Sequence, residues 1–527
     1  MENSENRQMP PGPGQQHPTQ GFPAQQPPPP GDPRWLATPP MPRRRRGPVM
    51  LAIILGALIA LVGGFVVGMV VTDDETVAGQ PTDDMRAQPA ANEAPAQDSQ
   101  PAGGDDSEGI GPGSGASGGG SGVDLRKGGV FVMSNDASEN EVVAFSRAEN
   151  GTLTEIGRYE TGGVGSGGFE DTSNAIVLGT AEGEASPQQN LDSANLLFVP
   201  NAGSNTISVF RVDAEGLALV DVEPSNGEKP AGLTVNDGVL YVLNTGELDD
   251  RLVVDNDPIT LIDNCTHGEL PTVTGFEVSP LGELTAIPNS TRQLSGAQES
   301  GCAQVSFTPE GDQLIVTERV ATIPGQAPDH GALVAYDVNE DGTLGAKHVT
   351  PSSGPGPFGF AFAPDGTLLV SENNLSEIGG SNTSSYTILE DGTMKPISKS
   401  VPDEGTDACW VVITDDGRYA FVSNAFGGGS VSTYAIDDTG ALRLVHASAT
   451  RVPGGDVEDD HLMDGTTDPA LSRDSRFYYQ LNSIFGLVQV FQVNDNGSLT
   501  FVEQHEVFAP APPPEGGQLP PFGIAAH

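Results

Sequence analysis

The stretch PFGFAFAPDGTLLVSE at residues 357–372 consists of two short apolar runs separated by a Pro-Asp-Gly turn. Runs of aromatic and β-branched residues bounded by such turns predict strands joined in a hairpin. The pattern returns at 410–424 as WVVITDDGRYAFVSN, again with a Gly-containing turn between two apolar runs. Both copies end in a polar residue, Glu372 in the first and Asn424 in the second. The sequence therefore contains a repeated two-strand unit.

A second phrase follows each such unit and consists of a residue that is usually polar, then Gly, one further residue, and Leu or Met. Asn-Gly and Asp-Gly between apolar runs are typical of β-hairpin turns. Four strands per repeat and seven repeats predict an all-β fold, a seven-bladed β-propeller over residues 125–527. The seven copies are Asn150-Gly151-Thr152-Leu153, the shorter Glu215-Gly216-Leu217, Leu281-Gly282-Glu283-Leu284, Asp341-Gly342-Thr343-Leu344, Asp391-Gly392-Thr393-Met394, Thr439-Gly440-Ala441-Leu442 and Asn496-Gly497-Ser498-Leu499.

The two ends of the repeat region complement each other. The first repeat opens at 129–132 without an apolar run before it, and the chain closes on 521–525, which echoes 357–361. We expect the last strand to complete the first blade. Such a closure joins the ends of the ring and removes two open sheet edges.

The N-terminal quarter of the chain predicts a membrane anchor. Val49–Val71 holds 23 residues without a charge, which spans roughly 34 Å as a helix, enough to cross a bilayer. Arg43–Arg46 precede it and acidic residues follow it, so the N-terminus should be cytoplasmic and the propeller outside the cell membrane. A cleaved signal peptide is the alternative, but its apolar core is usually about 7–15 residues.

The predicted domains follow from these boundaries. Residues 1–46 are a Pro- and Gln-rich tail that we expect to be disordered and cytoplasmic. Residues 47–72 form the single-pass transmembrane signal anchor, and residues 73–124 an acidic Gly/Ser/Pro linker. The 71 acidic residues outnumber 24 Lys and Arg, for a formal charge of −47. Such a chain repels phosphate backbones, so nucleic acid is not an expected partner.

The repeat region resembles the lactonase-family seven-bladed β-propellers, the group of bacterial 6-phosphogluconolactonase and fungal carboxymuconate cycloisomerase. The similar phrases are 201–210 (NAGSNTISVF), 362–366 (FAPDG) and 409–412 (CWVV), and the resemblance covers residues 129–527. It implies hydrolysis or isomerisation of a lactone. Enzymes of this family carry Arg and His after a Pro where inner strands begin.

This chain departs from the family at those positions. Pro230 is followed by Ala231 and Gly232, and Pro357 by Phe358 and Gly359, none of which can transfer a proton. Two functions therefore stay open. One is an extracytoplasmic lactone hydrolase or cycloisomerase, and the other is a non-catalytic propeller that binds a protein, glycan or small ligand through its loops.

The predicted second strands end in a repeated polar residue, and repetition in every blade favours a structural role. Glu318 and Glu372 break the pattern in adjacent blades, which makes them candidate acid–base groups, with Arg319 as a cation for a developing oxyanion. The seven residues are Asn135, Asn201, Asn244, Glu318, Glu372, Asn424 and Asn482.

The long insertions predict a binding face, since long loops on a rigid scaffold often carry function. They fall at 245–272, 288–301, 321–331 and 450–468 and should share one face. His330, His461 and Asp464 are the candidate binding residues there. No cofactor is expected. The carboxylate-rich loop 456–468 leaves a divalent cation open, against the alternative of a solvated acidic run.

The cysteines divide into a candidate pair and a single residue. Cys265 and Cys302 should lie on the same face, and outside the membrane they could form a disulfide. Cys409 begins an apolar run beside Trp410 and is expected to serve packing.

Proteases added to intact cells should cut within residues 73–124 and release the propeller, because the linker is predicted to be extracellular and unfolded. Release is measured by immunoblot of the medium, with a cytoplasmic protein as the control that stays intact. Full protection of the linker would show that the predicted orientation is wrong.

Overall fold

The computed structural model describes most of the region that follows the predicted anchor. The predictions for residues 1–123, including the membrane anchor, concern residues outside the described part of the chain. No helix in the described part is both long enough and apolar enough to cross a membrane. The described residues are 124–168, 170, 172–185, 193–246, 271–294, 300–328, 330–426, 429–451, 466–509 and 522–527.

Seven groups of four antiparallel strands make up the described chain after a short helical turn, α1 (Leu125–Gly128). Each group is one blade, and its strands follow one another from the inside of the ring outwards. Blade 1 is β30 (Ile524–Ala526), β1 (Gly129–Met133), β2 (Glu141–Arg147) and β3 (Leu153–Glu160). Blade 2 is β4 (Val177–Thr180), β6 (Leu196–Asn201), β7 (Thr206–Val212) and β8 (Leu217–Pro224), with the short β5 (Gly183–Glu184) beside β4.

The remaining blades repeat this plan. Blade 3 is β9 (Pro230–Asn236), β10 (Val239–Asn244), β11 (Thr272–Val278) and β12 (Leu284–Ala286), with β13 (Arg292–Gln293) on β11. Blade 4 is β14 (Cys302–Phe307), β15 (Gln313–Glu318), β16 (Ala332–Val338) and β17 (Leu344–Pro351). Blade 5 is β18 (Pro357–Phe362), β19 (Leu368–Glu372), β20 (Asn382–Ile388) and β21 (Met394–Pro402), with a 3₁₀ turn at Asn374–Ser376. Blade 6 is β22 (Thr406–Ile413), β23 (Tyr419–Phe426), β24 (Ser430–Ile436) and β25 (Leu442–Arg451), and blade 7 is β26 (Thr466–Leu471), β27 (Phe477–Asn482), β28 (Leu487–Val493) and β29 (Leu499–Glu506).

The ring closes as the sequence predicts. Each inner strand contacts the inner strands of both neighbouring blades. The C-terminal β30 pairs antiparallel with β1, with Val130 opposite Ala526 and Val132 opposite Ile524. The last strand therefore completes the first blade, and the predicted all-β propeller is confirmed for the described residues.

Burial follows the position of a strand in its blade. The strands β1, β6 and β27 are buried along their whole length, because neighbouring blades cover both of their faces. The outer strand β3 alternates between more and less exposed residues. Apolar side chains of adjacent blades form shared clusters, as where Ile315 and Leu333 of blade 4 pack with Phe360 and Leu368 of blade 5. The core thus consists of layers between blades.

The glycines of the repeated hairpin phrase fit against the preceding blade. A Cβ atom on any of the seven would lie less than 3.0 Å from a side chain there. Gly151 of blade 1, for example, lies on the Phe477 ring of blade 7, and Gly497 of blade 7 lies on Tyr419 of blade 6. Six of the seven also have positive φ, a conformation that glycine adopts without strain. The seven are Gly151, Gly216, Gly282, Gly342, Gly392, Gly440 and Gly497.

Hydrogen bonds fasten the same turns to the preceding blade. The hydroxyl of Tyr241 donates to the Gly342 carbonyl at 2.7 Å, and Ser385 Oγ donates to the Gly440 carbonyl at 2.7 Å. The backbone N–H of Leu153 donates to Glu503 Oε1 at 2.6 Å. The repeated Gly-x-Leu phrase is therefore a contact between blades as well as a turn.

The antiparallel pairing defines two faces of the ring. The loop face carries the segments that enter the inner strands and those that join the second strand of a blade to its third. The turn face carries the tight turns that join the first strand to the second and the third to the fourth. The Gly-x-Leu turns belong to the turn face, and the insertions predicted for binding belong to the loop face.

The Gly151→Ala substitution should destabilise the chain more than Gly238→Ala, because only Gly151 packs against a neighbouring blade. Both residues have positive φ, but nothing lies within 4 Å of a Cβ built on Gly238. Backbone strain alone costs roughly 1 kcal/mol, and overpacking against Phe477 should add about 1–3 kcal/mol. Denaturant unfolding of both variants measures the difference, and equal losses would contradict the packing role.

Candidate functional site

The inner strands begin irregularly on the loop face. The pairing of the first strand with the second shifts register near this end in blades 3 to 7. Such β-bulges re-aim side chains. The residues at or beside the shifts are Ala231, Ala303, Phe358, Cys409 and Asp468. These residues therefore determine which side chains face the centre of the ring.

A short stretch of chain, the crossing segment of residues 172–176, connects several of these openings. Thr172 Oγ1 donates to the Ala231 carbonyl of blade 3 at 2.8 Å. The Ser173 N–H donates to the Ala303 carbonyl of blade 4, also at 2.8 Å. The backbone of Ala175 is hydrogen-bonded to the buried Asp468 carboxyl of blade 7. The segment that enters blade 2 thus bonds to inner strands from blades 3, 4 and 7.

Trp410 bonds to the same segment from blade 6. Its indole Nε1 donates to the Thr172 carbonyl at 2.9 Å. Its ring meets that of Phe358 edge to face, with centroids 5.5 Å apart, and both side chains are fully buried. Blades 2 and 6 are not neighbours in the ring, so this bond crosses its centre. At this point the ring holds aromatic packing and a hydrogen bond from a side chain to a backbone carbonyl.

A buried polar cluster lies beside these rings. Arg319 stacks on Phe358, with its guanidinium carbon 5.7 Å from the ring centroid. Asp407 accepts a hydrogen bond from Ser376 Oγ at 2.6 Å, and the Cys409 thiol donates to its other oxygen at 3.4 Å. Burial raises the pKa of Asp407, while the hydrogen bond from Ser376 and the charge of Arg319 act in the opposite direction.

The backbone around this cluster is strained. Asp407 has a φ of 64°, and the consecutive residues Asn374, Leu375 and Ser376 have φ values of 51°, 53° and 56°. Left-handed conformations of this kind in non-glycine residues concentrate at functional sites. Asp407 was not among the candidates from the sequence, although a carboxylate directly before the apolar run 408–413 was a visible signal. Arg319 was predicted from the sequence, and the structure brings Arg319 close to Asp407.

Glu372 accepts hydrogen bonds from residues of its own blade and of the loop that enters it. Its Oε1 accepts hydrogen bonds from the Gly354 N–H at 2.8 Å and from Ser384 Oγ at 2.6 Å. Burial raises the pKa of Glu372, and the hydrogen bond from Ser384 is the largest effect in the opposite direction. Asn201 and Asn424 similarly bond to residues on the loops that enter their blades, Thr161 and Asp403 respectively. These contacts suit a structural role for the repeated polar residue, and the acid–base role of Glu372 stays a prediction.

Glu318 is a further predicted residue in the described part, and His330 lies near Glu372. Glu318 is fully buried and lies close enough to Tyr336 that its charge adds to the effect of burial in raising the pKa of that phenol. His330 Nε2 lies 2.8 Å from the Ser352 carbonyl, and its charge also acts on Glu372. His461 and Asp464 lie outside the described residues.

The cysteines follow the expected division in part. Cys302 is disulfide-bonded, while Cys409 is a buried free thiol. Cys265, the partner predicted for Cys302, lies outside the described residues, so the pairing stays a prediction. Among the residues that the structure describes, no cluster of three His, Cys, Asp or Glu side chains could hold a metal ion.

The seven blades and the ring formed by their inner strands define a β-propeller of the lactonase type. The sequence model of the lactonase family, a seven-bladed β-propeller, matches residues 268–380. This match confirms the resemblance of the chain to lactonase-family propellers. Comparison with curated proteins finds no match.

Solved structures share the fold at low sequence identity. A putative 6-phosphogluconolactonase from Bacteroides fragilis is 16% identical, with a TM-score of 0.51 over 73% of this chain and 97% of that chain. A second from Bacteroides uniformis is 13% identical, with a TM-score of 0.53 over 76% of this chain and 100% of that chain. Identities this low show a common fold and leave activity to be argued from the residues.

Glu170 is a buried carboxyl close to the crossing segment. It is 1% exposed. Burial raises its pKa to about 7, and the positive charge of Lys229 acts in the opposite direction. The folded chain therefore holds a proton on Glu170 up to about pH 7, whereas the unfolded chain releases it near the ordinary glutamate pKa of 4.5.

The Glu170→Gln variant should gain stability relative to the wild type as pH rises. Between about pH 4.5 and 7 the unfolded wild type loses a proton that the folded state keeps, so its stability falls by up to about 3 kcal/mol. Glutamine cannot ionise, so the variant lacks this loss. Denaturant unfolding at pH 4.5, 6 and 8 measures the difference, with the exposed Glu340→Gln as the matched control. Parallel curves for all three proteins would contradict a buried, protonated Glu170.

Proposed function

We propose that this chain is a membrane-tethered, extracytoplasmic binding propeller that does not open lactones. Residues 47–72 anchor it, residues 73–124 hold it away from the bilayer, and the loop face binds a protein, glycan or small ligand. The closed centre of the inner-strand ring carries this proposal.

Lactone opening requires a base or acid within reach of the ring ester and donors for the oxyanion. Here Trp410 donates to the Thr172 carbonyl at 2.9 Å, and the buried Phe358 packs against it. The strand openings of blades 3 and 4 contribute Ala231 and Ala303, both buried. A lactone at the centre would meet methyl groups, aromatic rings and the buried Asp468 carboxyl, which is already hydrogen-bonded to the crossing segment. This composition suits a rigid scaffold whose recognition lies in the surrounding loops.

The anchor supports the extracytoplasmic placement. The uncharged run Val49–Val71 follows four arginines and precedes acidic residues, which favours export of the C-terminal part. Phosphorylated sugar lactones are cytoplasmic compounds, so an external propeller would not meet the substrate named for the related solved structures. The disulfide at Cys302 agrees with an oxidising compartment.

A lactone hydrolase or cycloisomerase remains the second candidate function, and the strained cluster at blade 6 favours it. Asp407 with a raised pKa could donate a proton, and Arg319 could stabilise an oxyanion or bind a carboxylate. Both side chains are buried beneath the loop face, so a substrate would have to displace the residues that cover them. No cofactor forms part of either proposal.

A panel of lactones, including phosphorylated and unphosphorylated sugar lactones, should be hydrolysed by the full chain no faster than by buffer, because the carboxyl groups that the structure describes near the ring centre, Asp468 and Asp407, are buried. A propeller lactonase of known activity serves as the positive control. Product acid is measured by a pH indicator. Saturable turnover that Asp407→Asn abolishes would establish the second candidate in place of binding, and turnover unaffected by Glu372→Gln would remove Glu372 from it.

A further inference from the structure

A cavity of about 480 Å³ opens on the turn face between blades 4 and 5, opposite the loop face. Its walls are the turn 308–313 of blade 4, the segments 365–367 and 387–390 with Ile397 of blade 5, and Asp438 and Thr439 of blade 6. Its volume lies within the range typical of small-molecule sites, about 300–1,000 Å³. Nothing in the proposed function uses it.

The cavity exists because one position that four other blade pairs cover is left uncovered here. In those four pairs, the hairpin glycine of the next blade packs on the residue that begins the second strand. In this way Gly282 covers Leu196, Gly342 approaches Val239, Gly497 covers Tyr419 and Gly151 covers Phe477. The residue in blade 4 is Gln313, but Gly392 of blade 5 packs on His348 instead.

Gln313 points into the space that results. Its neighbours at alternate positions, Ile315 and Thr317, face blade 5: Ile315 packs with Phe360, and Thr317 Oγ1 donates to the Phe358 carbonyl at 2.6 Å. Residues two apart on a strand share a face, so Gln313 faces blade 5 as well. It is only 7% exposed, and its Oε1 has no hydrogen-bond partner. A buried amide oxygen without a partner costs stability unless a ligand satisfies it.

The charge of the cavity is uncompensated. Five carboxylates line it, and none of its lining residues in the described part of the chain is Lys, Arg or His; the five are Glu310, Asp312, Asp365, Glu390 and Asp438. The corresponding turns of blades 6 and 7 carry their own cations, where Arg418 pairs with Asp416 and Arg476 with Asp474. Among the described residues, the turn of blade 4 has no such pair. The carboxylates are also too dispersed to form a metal cluster within the described residues.

Apolar side chains complete the lining. Ile388, Leu389 and Ile397 lie among the acidic residues. A ligand that matches both parts carries a positive group on a methylene chain, because the charge meets the carboxylates and the chain covers apolar surface. We propose that this cavity binds a small organic cation, an alkylammonium or alkylguanidinium compound, with the Gln313 amide as a hydrogen-bonding group.

Agmatine should bind the full chain saturably at low ionic strength. Binding is measured by isothermal titration calorimetry in detergent. MgCl₂ at equal ionic strength should not displace agmatine fully. The double variant Glu390→Gln/Asp438→Asn should bind roughly tenfold more weakly, because two carboxylates near the cation are lost. The matched control is Glu149→Gln/Glu340→Gln, which removes two exposed carboxylates from the equivalent hairpin turns of blades 1 and 4. It should bind as the wild type does.

The Gln313→Leu variant tests binding separately from folding, because Leu196 shows that a leucine fits the equivalent position in blade 2. This variant should unfold at a higher temperature, because the amide oxygen without a hydrogen-bond partner is removed. Its affinity for agmatine should fall. Equal losses of affinity in the pocket and control double variants would overturn the proposal and indicate diffuse attraction to an acidic surface. Unchanged affinity in Gln313→Leu and in the pocket variant, or full displacement by Mg²⁺, would overturn it also. None of these outcomes depends on the lactone assay.

Discussion

The contact between each hairpin glycine and the preceding blade is the constraint on which the ring depends. A blade is a small sheet with apolar residues on both faces, and it is stable only when neighbours cover both. The turn that joins the third strand to the fourth can approach the preceding blade only if it has no side chain at the contact point. Gly151 on Phe477 and Gly497 on Tyr419 show the fit. The same contact across blades 1 and 7, together with the pairing of β30 with β1, closes the ring.

The centre of the ring depends on a different kind of interaction. The crossing segment bonds to inner strands from several blades, and Trp410 bonds to it from the far side. These bonds satisfy backbone groups that would otherwise be buried without partners. They also join strands of blades that are not neighbours across the centre of the ring.

Several carboxyl groups are buried in this propeller, although its core consists mainly of apolar layers between blades. Glu170, Asp407 and Asp468 all have pKa values raised by burial, so each costs stability at neutral pH. Asp407 differs from Asp468 in its surroundings. Asp407 has a strained backbone and a guanidinium nearby. The Asp468 carboxyl receives a backbone hydrogen bond from the crossing segment. Gln313 is likewise a buried polar residue, at a position where several other second strands begin with an apolar or aromatic residue. Departures from a repeat are where function is best sought, because the repeat itself accounts for folding.

The sequence by itself determined the strands, the number of blades and the closure by the final strand. These features rest on local patterns: apolar runs, turn residues and a glycine at a fixed place in each repeat. It also identified Glu372 and Arg319 as polar residues at strand ends. Only the tertiary structure decided that Arg319 lies near Asp407, that Glu372 bonds within its own blade, and that Thr172 meets Trp410, 238 residues away in the chain. Contacts across a ring depend on how all the blades pack together, and no local pattern of residues records that.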